Sequence, residues 1–197
     1  MYDPQKGNIF YDGIPVAKID LKSLRSQVSY VPQDVFLFSD SVEKNIGFAL
    51  SDPPKQKIMQ AAENAVVARE INSFPGKYNT LIGERGVTLS GGQKQRISIA
   101  RALIKEHEII VFDDCLSAVD AKTENEIISN LYQFLHEKTA IIITHRIFSL
   151  FSFDKIVVLQ DGAIAEQGTH QALLEKNGLY AEMYRRQQEQ DKKMVES

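Results

Sequence analysis

Four short runs of this sequence carry residue types able to handle a phosphate and its counter-ion. The first is Leu89-Ser90-Gly91-Gly92-Gln93, followed by Lys94-Gln95-Arg96-Ile97-Ser98-Ile99-Ala100-Arg101-Ala102-Leu103. Two adjacent glycines let the backbone approach a ligand with no Cβ in the way, and Ser90 is suited to cap a helix whose first N–H groups point outward. A helix end of that kind attracts phosphate, although a bare Ser-Gly-Gly also suits an ordinary turn. The second run is Asp113-Asp114, which closes the apolar stretch Ile109 to Phe112. Two adjacent carboxylates at the end of a buried strand are expensive unless a cation is present, and capping a helix would occupy only one of them. The third and fourth are Gln33, directly behind Pro32, and His145, directly behind Thr144. Taken singly, a glutamine in a loop is usually solvated and a histidine usually structural, so their meaning depends on where the chain delivers them.

The elements that must deliver them are legible. Val28 to Val31 reads as a strand stopped by Pro32, which sets Gln33 just past a strand end. Ile109 to Phe112 and Ala140 to Ile143 are short uninterrupted apolar runs, expected as strands covered on both faces, with Asp113-Asp114 and Thr144-His145 at their ends. In a parallel sheet these ends share the edge where ligands bind. From Asp40 to Lys105 the pattern is helical: Pro54 can open a helix with Ile58, Ala61, Ala62 and Ala65 on one side. Behind Ser90, Ile97, Ala100 and Ile104 recur at helical spacing, and Arg101 and Lys105 lie near the C-terminal end, where the dipole favours positive charge. Asp120 can cap a helix with Ile127, Leu131 and Leu135 on its buried stripe. Hairpins are expected at Asn8 to Val16 around Asp12-Gly13 and at Ile156 to Gln167 around Asp161-Gly162. Asp20 can cap a short helix through Leu21 and Leu24, two helices around Leu173-Leu174 and Leu179 to Tyr184 close the fold, and Gln187 to Ser197 is polar enough to fray.

Composition narrows the function classes. With 197 residues, 43% hydrophobic and 25% charged, the chain can bury one core, with or without a subdomain. A net charge of -3 gives no electrostatic reason to expect nucleic acid. The single cysteine, Cys115, rules out an internal disulfide and fits a reducing compartment. No apolar run approaches the roughly 20 residues a membrane helix needs, and no signal peptide is expected.

Leu89 to Gln93 with its basic helix resembles the signature motif of ABC ATPases, without substitutions. Tyr30-Val31-Pro32-Gln33-Asp34 resembles the Q-loop, Ile109 to Asp113 the Walker B strand, Ser117-Ala118-Val119-Asp120 the D-loop, and Thr144-His145-Arg146 the H-loop. Leu81 to Gly86 is similar to the segment found before the signature in exporters and not in importers. The resemblance implies an α/β fold of the P-loop NTPase (RecA-like) type: a mostly parallel sheet core, a helical signature subdomain and an incomplete N-terminal part. It divides the chain into 1–39 (hairpin and Q-loop strand), 40–105 (helical subdomain), 106–186 (Walker B and H-loop core with closing helices) and 187–197 (polar tail). ATP and Mg²⁺ are implied as cofactors. Ser90, Gly91, Gly92, Gln93 and Asp120 would contact nucleotide, Asp113 and Gln33 the metal, and Asp114, His145 and Gln33 would serve hydrolysis. Asp114 stands where the family has a catalytic glutamate. Its carboxylate is drawn back by about 1.5 Å, one C–C bond, and a misplacement near 1 Å can cost on the order of a hundredfold in rate.

The resemblance therefore implies an exporter half-transporter on the cytoplasmic face of a membrane, of multidrug or lipid type. Its transmembrane domain would lie on the same chain and its partner would be a second half-transporter, in a heterodimer or else a homodimer. This chain's intact signature would complete the partner's site. No Gly-x-x-x-x-Gly-Lys-Ser/Thr is present: at the one Gly-Lys pair, Gly76-Lys77, Tyr78 replaces Ser or Thr and Ile71 replaces the first glycine. In the family that loop precedes the segment matching Tyr2-Asp3-Pro4, so the sequence is expected to begin just after it, to bind ATP very weakly by itself, and to fold imperfectly with a central strand position vacant. The alternatives are an inactive gene fragment and a soluble ABC ATPase acting on DNA or ribosomes. Against the latter stand the lack of a long coiled coil between Gln33 and the signature and the lack of a basic stripe.

Overall fold

Antiparallel pairing opens the chain: β1 (Phe10–Tyr11) meets β2 (Ile14–Pro15) across Asp12 and Gly13, whose φ values of 47° and 76° are those a two-residue primed turn demands. The computed structural model describes residues 4, 6–83, 87–105, 107–116, 119, 121–147 and 152–195, in two units, Met1–Ile143 and Thr144–Ser197. In the first, α1 (Leu21–Arg25) starts where Asp20 accepts the Ser23 N–H at 2.8 Å. It leads to β3 (Val28–Val31), then α2 (Val42–Gly47), α3 (Lys55–Asn64), α4 (Ala68–Ser73) and α5 (Gly91–Leu103). β4 (Ile109–Asp113), α6 (Ala121–Leu135) and β5 (Thr139–Ile143) complete it.

β3, β4 and β5 form a parallel sheet in that order, with Tyr30 beside Val111, Val111 beside Ile141 and Asp113 beside Ile143. The three strand ends therefore share one edge, as the sequence predicts. Alternation divides the sheet into two unlike faces. Ser29, Val31, Ile110 and Phe112 are buried; α5 packs against β3, and the Ser29 hydroxyl donates to the Ala102 carbonyl at 2.8 Å. On the other face Tyr30, Ile141 and Ile143 are about half exposed, at 54%, 49% and 50%. This corrects the expectation of strands covered on both sides. Among the described residues β5 pairs with β4 alone, and its strand is exposed at every position but Ile142.

The helical stretch follows its apolar spacing. Ile58, Ala61, Ala62 and Ala65 are buried on α3, Ile97, Ala100 and Ile104 on and just after α5, and Ile127, Leu131 and Leu135 on α6. α5 packs on α2 and α3 as well as on β3, which makes it the first unit's central helix. The second unit pairs β6 (Ile156–Gln160) with β7 (Ala163–Gly168) around Asp161-Gly162, then adds α7 (His170–Lys176) and α8 (Leu179–Val195). Its core is Val158, Leu173 and Tyr180, with Ile147, Ile156, Leu174 and Leu179 against them. Buried Glu166 accepts the Tyr180 N–H at 2.9 Å and so holds the start of α8. A Cβ on Gly178 would collide with that carboxylate. α8 runs on to Val195, into residues expected as a frayed tail; the Arg186–Glu182 pair one turn apart supports the helix just before them.

Candidate functional site

The C-terminal edge of the sheet gathers three of the residues singled out from sequence. Asp113 ends β4, and its Oδ2 accepts the Tyr30 hydroxyl from β3 at 2.7 Å. Gln33, two residues past β3, donates its amide Nε2–H to Asp114 Oδ2 at 3.3 Å, which leaves its amide oxygen for another partner. The Asp114 N–H donates to the Ile143 carbonyl at 2.8 Å, so the backbone at the end of β4 is tied to the end of β5. That bond goes with a left-handed turn at Asp114, φ 44°, a conformation in which aspartate is several-fold enriched among residues other than glycine. The hydrogen bond to Asp113 raises the Tyr30 phenol above its ordinary range, so it remains a proton donor. Just behind, the Cys115 thiol is pushed up to about 12, chiefly by burial, which keeps it protonated and inert beside the two carboxylates.

The glycine tip sits on a different element. Ser90 caps α5: its Oγ accepts the Gln93 N–H at 3.2 Å, while Gln93 Oε1 accepts the Ser90 N–H at 3.0 Å, a reciprocal capping box. The N–H groups of Gly91 and Gly92 have no acceptor within the helix, as its geometry requires, and Ser90 and Gly91 are exposed. About 16 Å of helix separates Gly91 from Ala102, which bonds the sheet. Behind the tip, buried Arg96 donates to the Gly92 carbonyl at 3.3 Å and to the Val66 carbonyl at 2.6 Å, and pairs with Glu70 at 2.6 Å. The tip is thereby pinned to the turn between α3 and α4. A groove of about 380 Å³ lies beside it, lined by Val35 to Leu37, Ile82, Gly83, Val87 to Leu89 and Lys94.

Of the remaining expected site residues, His145 is exposed and follows β5 by two positions, in the second unit; next to it the Arg146 N–H donates to Thr144 Oγ1 at 3.0 Å. Asp120, Ser117 and Ala118 of the D-loop-like run, and Glu84 to Gly86 of the exporter-like segment, lie outside the described residues. Arg101 was expected to act at the helix dipole; its guanidinium instead spans to α2 and the segment after Gln33, donating to the Asn45 carbonyl and Oδ1 at 2.8 Å each and to the Phe36 carbonyl at 2.9 Å. Desolvation lowers its pKa from the usual arginine range. Tyr30, three residues before Gln33, was read from sequence only as part of the Q-loop-like run; its place beside Val111, on the face from which Asp113 projects, is set by strand register.

The donor set at the edge is all oxygen: two carboxylates and an amide carbonyl. Among the described residues no group of three or more His, Cys, Asp or Glu surrounds one point. That set fits magnesium, which takes one or two carboxylates and fills its octahedron with water and phosphate oxygens.

Residues 1–117 match the family model described as ABC transporter. The chain is 48% identical over 187 residues to the probable multidrug resistance ABC transporter ATP-binding/permease protein YheI of Bacillus subtilis (strain 168), covering 95% of this chain and 32% of that protein. It is 46% identical over 185 residues to the ATP-dependent lipid A-core flippase of Alkalilimnicola ehrlichii, covering 93% of this chain and 31% of that one. The chain thus spans about a third of the length of these curated relatives. Among solved structures it is similar to a bacterial Atm1-family ABC exporter with ATP bound, with a TM-score of 0.89 and 42% identity over 94% of this chain and 33% of that one.

Proposed function

This chain belongs to the ABC transporter family, and from that premise we propose that it forms part of the ATP-binding and ATP-hydrolysing domain of an exporter, on the cytoplasmic face of a membrane. The observation that carries this is the joining of Gln33, Asp113 and Asp114 at one sheet edge, on a chain that also presents a capped glycine tip. No helix among the described residues is long and apolar enough to cross a membrane, so in this reading the membrane-spanning part lies elsewhere in the transporter.

Within the site, Asp113 and the Gln33 carbonyl would hold magnesium, which when bound screens the phosphate charge and orients water. Asp114 takes the place of the water-activating carboxylate with a shorter reach, and His145 would meet the terminal phosphate. The Gly91 and Gly92 amides would donate to the terminal phosphate of a nucleotide seated mainly on a second half-transporter, joined by Ser90, Gln93 and Asp120. The open edge of β5 is where we assign the strand that would bring a phosphate loop to the same edge. The pairing we favour is a heterodimer in which this chain's own site turns over poorly and its signature completes the partner's active one. ATP would close the pair and hydrolysis would reset it.

The experiment is mutation in the assembled transporter. Ser90→Ala should abolish ATP hydrolysis, whereas Asp114→Asn should lower it only mildly. Equal and total losses from both would sink the asymmetric assignment.

A further inference from the structure

We propose that Tyr30 is a positioning residue for the magnesium carboxylate: its hydroxyl grips one oxygen of Asp113 so that the other is held outward for the cation. The inference rests on the metal role given to Asp113 above. Register brings the pair together. Tyr30 lies beside Val111, and Asp113, two residues further along β4, projects from the same face of the sheet as Val111. The phenol has one proton, and at 2.7 Å it goes to Asp113 Oδ2. A tyrosine ring on a strand turns about only two side-chain torsions, so it fixes the oxygen at small entropic cost. Oδ1 is then the oxygen available to metal or to its water shell. Gln33 does the same for Asp114 from the next turn of the chain, so each carboxylate has a neutral donor on one oxygen.

A donor that orients a metal-binding carboxylate raises metal affinity, and its loss typically costs about 10-fold to 100-fold. The Tyr30 ring is 54% exposed, so Tyr30→Phe removes the hydroxyl and leaves the packing unchanged. The test uses Mn²⁺, an oxygen-preferring paramagnetic ion, titrated into the ¹⁵N-labelled 197-residue chain while the amide signals of Asp113 and Asp114 are followed. Tyr30→Phe should need roughly tenfold more Mn²⁺ for the same broadening. Asp113→Asn should abolish the effect, and adding Tyr30→Phe to it should change nothing further. Broadening of Tyr30→Phe at the same Mn²⁺ concentration as the unsubstituted chain, with Asp113→Asn still abolishing it, overturns the role of Tyr30 alone. No broadening in the unsubstituted chain, or broadening that survives Asp113→Asn, overturns the metal assignment and the Tyr30 inference with it.

Discussion

Removing the Arg101 guanidinium should destabilise the first unit by about 3 kcal/mol, and the size follows from which acceptors water can reach. Phe36 is 67% exposed, so its carbonyl regains solvent when Arg101 is gone. Asn45 is fully buried. Its Oδ1 keeps the Phe38 N–H at 2.8 Å, but its carbonyl loses the charged donor at 2.8 Å. An orphaned buried acceptor costs about 1–3 kcal/mol. The guanidinium also lies 5.4 Å from the Phe38 ring centre and 6.0 Å from that of Phe48, contacts worth about 0.5–1 kcal/mol at partly exposed sites. Arg101→Met keeps the apolar stem and isolates these losses. With a urea slope of about 2 kcal/mol per molar, the unfolding midpoint should drop by roughly 1.5 M. Arg101→Lys retains a charge and one donor but not the planar fork, so about half the loss is expected. Because Arg101 and Asn45 share one network, the losses from Arg101→Met and Asn45→Ala should sum to at least about 1 kcal/mol more than the double variant shows. A midpoint for Arg101→Met within about 0.3 M of the unsubstituted chain would refute the reasoning, since it would mean that water reaches the Asn45 carbonyl.

The His107 ring gives a pH dependence. Ser29 spends its proton on the Ala102 carbonyl, so His107 Nδ1 donates to Ser29 Oγ at 2.9 Å. Burial first, then the charges of Lys105 and Lys138, lower its pKa, against an opposing hydrogen bond with the Val28 backbone. A histidine whose folded pKa lies below its unfolded one near 6.5 stabilises the fold above that pH and loses the contribution as pH falls through the folded value. Urea midpoints should therefore fall between pH 7.5 and 5.5, and fall less in His107→Gln; equal falls would contradict the coupling. The 197 residues contain no Gly-x-x-x-x-Gly-Lys-Ser/Thr, so a fluorescent ATP analogue should bind the purified chain only weakly, and submicromolar binding would falsify that expectation.

Secondary structure was legible wherever one local rule decided it. Pro32 ends β3, Asp20 and Ser90 cap their helices through Ser23 and Gln93, and the alanine stripe of α3 is buried as its spacing requires. The convergence of Gln33, Asp113 and Asp114 was legible too, because parallel strands must bring their ends to one edge. What escaped were features set by neighbours distant in the chain. Ile141 and Ile143 read as buried because an apolar run carries no record of whether a strand or helix lies against it. Arg101 read as a dipole partner because nothing local announces that Asn45, 56 positions away, would present two oxygens to it. Tyr30 was one more strand residue until register set its hydroxyl on Asp113.

The two adjacent carboxylates illustrate the same limit in energetic terms. Read from sequence, Asp113 and Asp114 at the end of an apolar strand call for a cation to offset their desolvation. In the fold both lie on a half-open sheet edge, each only partly buried, and each has one oxygen held by a neutral donor, Tyr30 or Gln33. Solvent and these donors therefore offset much of the desolvation cost that the sequence reading assigned to a cation.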